Sequence, residues 1–293
     1  MKPAPFDYVR PDTVEAAVEA YASRASAKVL AGGQSLIPLL SMRLAAPAVL
    51  IDLGGLDELA YVRADDEGVR VGAMARHAEV ERDEAARRVQ PLVAAALRFV
   101  AHATIRNRGT TVGSIVHADA AAEMPAVLCL LGGHVTARSV RGSREIAAVD
   151  LFVGPLETSL DADEIVTEAF FPALASSAGI GFDEISRRHG DYALVGAGAV
   201  VDVDDGQVRE ARVGYLSIGE VPLVLDLTEA FGADASVDAA CAAAADLARQ
   251  RVEPEADIHA SADYRRHLAG VLTARTLAQA YDGATGRLRE GAA

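Results

Sequence analysis

Residues 104–123 read TIRNRGTTVGSIVHADAAAE. Gly109 and Gly113 bracket the small hydroxyl residues Thr110 and Thr111, and Ser114 follows. Glycines let a backbone come close to a ligand, and short hydroxyls add donors, so the run has the chemistry of an anion loop. A second run of this kind lies upstream at residues 31–36, AGGQSL. The apolar residues before it suit a buried strand. After it, Leu36, Ile37, Leu39, Leu40, Met42 and Leu44 recur at helical spacing, with Ser35 as the expected N-cap and Pro38 in the first turn. A strand, two glycines and a helix start present free amides to negative charge. Two such loops would hold a diphosphate between them. Taken singly, each has another reading: Gly32-Gly33 is also an ordinary tight turn, and Arg106-Asn107-Arg108-Gly109 an exposed basic turn.

Outward from these loops the pattern is mixed. Asp12 to Glu15 resembles a capping box opening a helix to about residue 23. Strands are expected at 27–31 and 48–53, which makes the first glycine turn part of a parallel strand–helix–strand unit. A hairpin is expected over 61–71 about Asp65-Asp66-Glu67-Gly68, and helices over 74–88, 92–101 and 125–131. A second hairpin turns at Arg141-Gly142, and a strand at 165–171 stops at Pro172. The small, polar residues 173–180 mark a domain boundary. Beyond it, 181–187, 193–202 and 207–218 read as three antiparallel strands, followed by helices at about 225–231, 237–251 and 262–281. Ser261 is the expected cap of the last helix.

The chain has 293 residues, 51% hydrophobic and 24% charged, with formal net charge −14. That charge argues against nucleic acid, whose phosphates call for clustered Lys and Arg. It leaves a dinucleotide open, because backbone amides supply a local field of their own. The two cysteines, Cys129 and Cys241, lie in Ala/Leu-rich surroundings and read as small buried hydrophobes. No Cys-x-x-Cys supports an iron–sulfur cluster in this chain, and the seven histidines lack metal-site spacing. Gly196-Ala-Gly198 mimics a dinucleotide fingerprint but lacks its third glycine and its helix. No signal-peptide core and no apolar run of about 20 residues is present, so a cytoplasmic location is expected.

Several pieces together resemble one family. Residues 31–59 look like the first FAD loop of the medium, flavin-carrying subunits of molybdenum hydroxylases, the relatives of aerobic carbon monoxide dehydrogenase and of the xanthine dehydrogenase flavin domain. Residues 105–123 resemble their second FAD loop. SRRHGDYALVGAGAVV (186–201) and ASADYRRHLAGVLTARTL (260–277) resemble their C-terminal region. The likeness runs from residue 3 to about 280. It departs in two places: Val112 stands where the family has the first glycine of a Gly-Gly pair, and Ala120 where it has proline. A β-branched residue at a position needing positive φ would be strained.

The resemblance implies an α+β fold. A PCMH-like, two-part FAD-binding region spans 1–174, with subdomains of about 1–56 and 57–174, and a C-terminal domain of three antiparallel strands with helices spans 175–293. It implies that FAD contacts Ala31, Gly32, Gly33, Gln34, Ser35 and Leu36 from the first loop. From the second it implies Ile105, Thr110, Thr111, Gly113, Ser114 and His117. Glu123 would accept from the ribose hydroxyls, and Asp191 and Tyr192 would stand at the isoalloxazine. For His117 a packing role is as open, for Glu123 a place near a helix N-terminus, and for Tyr192 a simple strand end. No catalytic acid–base residue and no metal ligand is expected. Implied partners are a large molybdopterin subunit and a small subunit with [2Fe–2S] clusters, assembled as a dimer of heterotrimers. The competing functions are a self-sufficient flavoprotein oxidoreductase and a nucleotide-binding protein without redox activity.

Overall fold

The computed structural model describes residues 2–232 and 235–291, without the side chains of 287–291. The chain opens with β1 (Asp7–Val9), α1 (Val14–Ala22), β2 (Ala27–Leu30), α2 (Leu36–Met42) and β3 (Val49–Asp52), which form a parallel sheet in the order β1-β3-β2. The strand–helix–strand unit across the glycines is present, with Val29 opposite Ile51. β1 was not expected, since three largely exposed residues carry no alternation. α1 is capped by Thr13 rather than Asp12: Thr13 Oγ1 accepts from the Ala16 amide at 3.1 Å. Ser35 makes no capping bond.

Next come the hairpin β4 (Val62–Ala64) and β5 (Gly68–Gly72), then α3 (His77–Arg82), α4 (Glu84–Val89), α5 (Pro91–Leu97), α6 (Ala103–Arg106), α7 (Thr111–His117) and α8 (Glu123–Leu131). The helix expected over 74–88 breaks at Asp83, whose carboxylate accepts from the Ala86 amide at 2.8 Å and starts α4. β6 (His134–Ser139), β7 (Gly142–Ala147), α9 (Ala148–Leu151), β8 (Phe152–Gly154), β9 (Glu157–Thr158) and β10 (Ile165–Pro172) follow. The main sheet here is antiparallel, in the order β4-β5-β10-β6-β7. Val71, Val135 and Phe171 of this sheet share a core with Leu92, Met124 and Leu128 of the helices.

The last part holds β11 (Ala178–Ser186), β12 (Ala193–Asp204), β13 (Gln207–Leu216), β14 (Leu223–Asp226), α10 (Val237–Arg251) and α11 (Ala262–Gly291). Its sheet has four strands, not three. The stretch expected as a helix at 225–231 divides between β14 and one 3-10 turn. Leu225 pairs with Val213, and the Asp226 carboxylate then accepts from the Thr228 amide at 2.9 Å and hydroxyl at 2.6 Å, ending the strand. β12 is covered on both sides. Val195, Ala197, Ala199 and Val201 face a core shared with α10 and α11, while Val200 belongs to the core shared with α8. This double burial explains the unbroken apolar run around Gly196 and Gly198. α11 lies directly on β11, where a β-carbon at Gly179 would stand 1.9 Å from Ala280 O.

Candidate functional site

A cleft of about 900 Å³ runs between the two glycine loops and the start of β12. Gly32 sits hard against the second loop: a β-carbon there would lie 2.5 Å from Arg108 O, 2.7 Å from Gly109 Cα and 2.9 Å from Thr110 N. The two loops, remote in sequence, therefore touch through their backbones. Gly33 has φ +73°, a conformation that side chains disfavour. The amides of Gly32, Gly33, Gln34 and Ser35 make no hydrogen bond among the described residues. Bare amides in sequence at a cleft are an arrangement for acceptor oxygens.

The second loop resolves into the turn that begins α7. Thr110 Oγ1 accepts from the Gly113 amide at 3.1 Å, Thr110 O from Ser114 at 3.1 Å, and Ala75 O from Thr111 at 3.3 Å. This leaves the Val112 amide without a partner among the described residues. Val112 is helical, and its side chain is buried in the core. The expected strain from valine in place of glycine is absent, because no positive φ is required there.

The loop is held from behind by residues 75–77. Arg76 bridges Thr110 in an antiparallel pair, and Arg76 Nη1 donates to Arg108 O at 2.5 Å. The His77 amide donates to Gly109 O at 2.9 Å, and its ring Nδ1 lies 3.2 Å from Thr111 Oγ1. Burial pushes the His77 imidazole down to about 4, with the Arg106 guanidinium adding to the effect.

Across the cleft, burial lowers the pKa of His117, against the opposing pull of Asp119. Glu123 occupies the first turn of α8, and its carboxylate has no side-chain partner among the described residues. Burial raises it to about 7; its own amide opposes the rise and Asp119 adds to it. Behind Glu123, burial and then the Glu123 charge push Glu184 up to about 8.

Residues 190–192 close the third side. Asp191 is loosely ion-paired to Arg188 at 3.5 Å and Arg187 at 3.9 Å, and Tyr192 is 67% exposed. The rings of His189 and His102 meet edge to face, 5.5 Å apart. Arg265 of α11, nearly buried, anchors this wall. Its Nη1 donates to Leu194 O at 2.6 Å and to Ser217 O at 3.2 Å, and its Nη2 pairs with Asp257 at 2.6 Å. Ser217 in turn donates from its amide to Ala120 O and from its hydroxyl to Ala193 O, both at 2.8 Å.

All the expected site residues line this cleft except Thr111, which is fully buried and turned towards His77. The sequence reading missed Lys28, His77 and His102 as lining residues, together with the wall made by Leu160, Asp161 and Ile165. Lys28 is one of only two lysines and stands next to the first loop, a signal that was available. The 160–165 wall carries no glycine or motif that would have marked it.

Residues 4–174 match the family model described as the FAD binding domain in molybdopterin dehydrogenase, and residues 181–280 match the CO dehydrogenase flavoprotein C-terminal domain. The chain belongs to this family of FAD-binding oxidoreductase subunits. Among its relatives is the 6-hydroxypseudooxynicotine dehydrogenase complex subunit alpha of Paenarthrobacter nicotinovorans, 40% identical over 96% of each chain. The nicotine 6-hydroxylase medium subunit of the same organism is 39% identical, covering 96% of this chain and 99% of that one. Among solved structures, quinoline 2-oxidoreductase from Pseudomonas putida 86 superimposes with TM-score 0.91 at 36% identity, over 97% of this chain and 99% of that one. Carbon monoxide dehydrogenase from Hydrogenophaga pseudoflava gives TM-score 0.90 at 31% identity, over 98% and 99%. Among the described residues, no helix is long and apolar enough to cross a membrane.

The cleft fits FAD on its own chemistry. The bare amides of residues 32–35 and of Val112 suit a diphosphate, and the Glu123 carboxylate, with no side-chain partner among the described residues, suits sugar hydroxyls.

Proposed function

We propose that this chain is the medium subunit of a molybdenum hydroxylase, receiving electrons from [2Fe–2S] clusters of a small partner subunit and passing them to an external acceptor. The observation that carries this reading is the backbone contact of Gly32 with Arg108–Thr110, which brings the free amides of residues 32–35 and that of Val112 to one cleft. The residues that would hold FAD are Ala31 to Leu36, Ile105, Thr110, Gly113, Ser114 and His117, with Glu123 at the ribose and Asp191 and Tyr192 at the ring. Thr111 supports them from behind. Bound FAD supplies the redox chemistry, exchanging electrons singly or in pairs. The protein orients it: main-chain amides neutralise the diphosphate, Glu123 accepts from hydroxyls, and Tyr192 shields one side of the ring.

The proposed domains are 1–174, with parts of about 1–56 and 57–174, and 175–293. The proposed assembly is a cytoplasmic dimer of heterotrimers with a large molybdopterin subunit and the small iron–sulfur subunit. Nicotine and quinoline, for which two of the relatives are named, are nitrogen heterocycles, and we propose that class as substrate of the large subunit.

The purified chain should be yellow and release FAD on denaturation, in equimolar amount. Co-expressed with its neighbouring subunits, it should co-purify with two further chains, one containing iron. A colourless chain that takes up no added FAD would overturn the reading, and substrate turnover by the isolated chain would favour a self-sufficient flavoenzyme.

A further inference from the structure

Thr111 is a loop residue with the right chemistry in the wrong place for a ligand. It is fully buried, its amide is taken by Ala75 O, and among the described residues its hydroxyl meets only His77 Nδ1, at 3.2 Å. His77 has an equally specific position. It is 4% exposed, its amide holds Gly109 O, and its ring abuts Gly109, where an added β-carbon would lie 2.9 Å from Cδ2. Thus one residue of α3 grips both ends of the three-residue turn 109–111 that presents Thr110 and Val112 to the cleft. Burial, and after it the Arg106 guanidinium, disfavours a charged imidazole here. A neutral ring can exchange one hydrogen bond with a hydroxyl in either tautomer.

We infer that His77 is the positioning residue of the second FAD loop, acting through Thr111 and Gly109 to hold the free amide of Val112 against the ligand. The inference rests on the FAD reading of the cleft. A hydroxyl–imidazole latch transmits geometry through one bond, so its two partners should act as a unit rather than add.

The test uses the full-length chain stripped of flavin. FAD affinity is measured by fluorescence titration, and the melting temperature of the flavin-free form is taken alongside. His77→Leu should weaken FAD binding about tenfold or more, because the buried Thr111 hydroxyl loses its partner. Thr111→Val should show a similar loss. The double variant should lose no more than either single one. His77→Asn, whose amide can replace Nδ1, should recover most of the affinity. If His77→Leu does not fold, Thr111→Val and His77→Asn carry the same test. Wild-type affinity in Thr111→Val, fully additive losses, or a melting temperature that falls while affinity holds would each overturn the latch. If the wild-type chain itself binds no FAD, it is the reading of the cleft that fails.

Discussion

The contact between Gly32 and the second loop can be broken by a single methyl group. In Gly32→Ala the new carbon would stand 2.5–2.9 Å from three atoms, Arg108 O, Gly109 Cα and Thr110 N, all of them backbone. No flexible side-chain end can swing away, so one loop must move by the better part of an ångström. Inserting a carbon into a packed site costs about 1–3 kcal/mol. If the strain is relieved by parting the loops, that cost appears in binding, as roughly a 5- to 150-fold weaker Kd for FAD. Titrating the flavin-free variant with FAD and following flavin fluorescence measures it. Gly232→Ala is the control, since nothing among the described residues lies within 4 Å of the added carbon, and its affinity should match wild type. Gly32→Ala with wild-type affinity would refute the argument that loop contact builds the site.

Three further outcomes are expected. His77 holds its pKa near 4 in the fold against an ordinary 6.5, so the unfolded chain binds the extra proton first. Stability should be fully present above about pH 6.5 and fall by about 3 kcal/mol as pH drops towards 4, and His77→Asn should flatten that part of a denaturation-versus-pH profile. Glu123 is raised to about 7 from 4.5, so its favourable contribution is present below pH 4.5 and lost as pH rises through 7. Glu123→Gln should therefore stabilise the flavin-free chain above pH 7 by about 1–3 kcal/mol while weakening FAD binding there; calorimetry in two buffers should also show wild type releasing protons on binding near pH 7. Gly179→Ala would drive a carbon to 1.9 Å from Ala280 O, and thermal melting should show a loss of about 1–3 kcal/mol or failure to fold.

The elements that depend on one dominant local signal were legible. The strand–Gly-Gly–helix unit and α10 are examples, the latter starting at Ser236, whose hydroxyl accepts from Ala239 N. Those decided by tertiary pairing were not. Residues 223–231 have apolar spacing that also suits a helix, and β13 recruited Leu223 and Leu225 as an edge strand instead. Residues 110–117 read as a glycine turn, although Thr110 carries the capping hydroxyl that opens a helix. The site followed the same rule. Main-chain donors at glycines can be read from letters, whereas Thr111 and His77 differ from a ligand and a bystander only in the direction they face. That direction is set by the short pairing of 75–77 with 109–111, which no periodicity announces.

Arg265 extends this dependence beyond the cleft. One guanidinium, fixed to a helix none of whose described residues lines the cleft, fastens the backbone beside Tyr192 and, through Ser217, the stretch leading to Glu123. A small roll of that helix would slacken both at once. The wall proposed to face the flavin ring is thus tensioned from the far side of the sheet, like a string tuned at its peg.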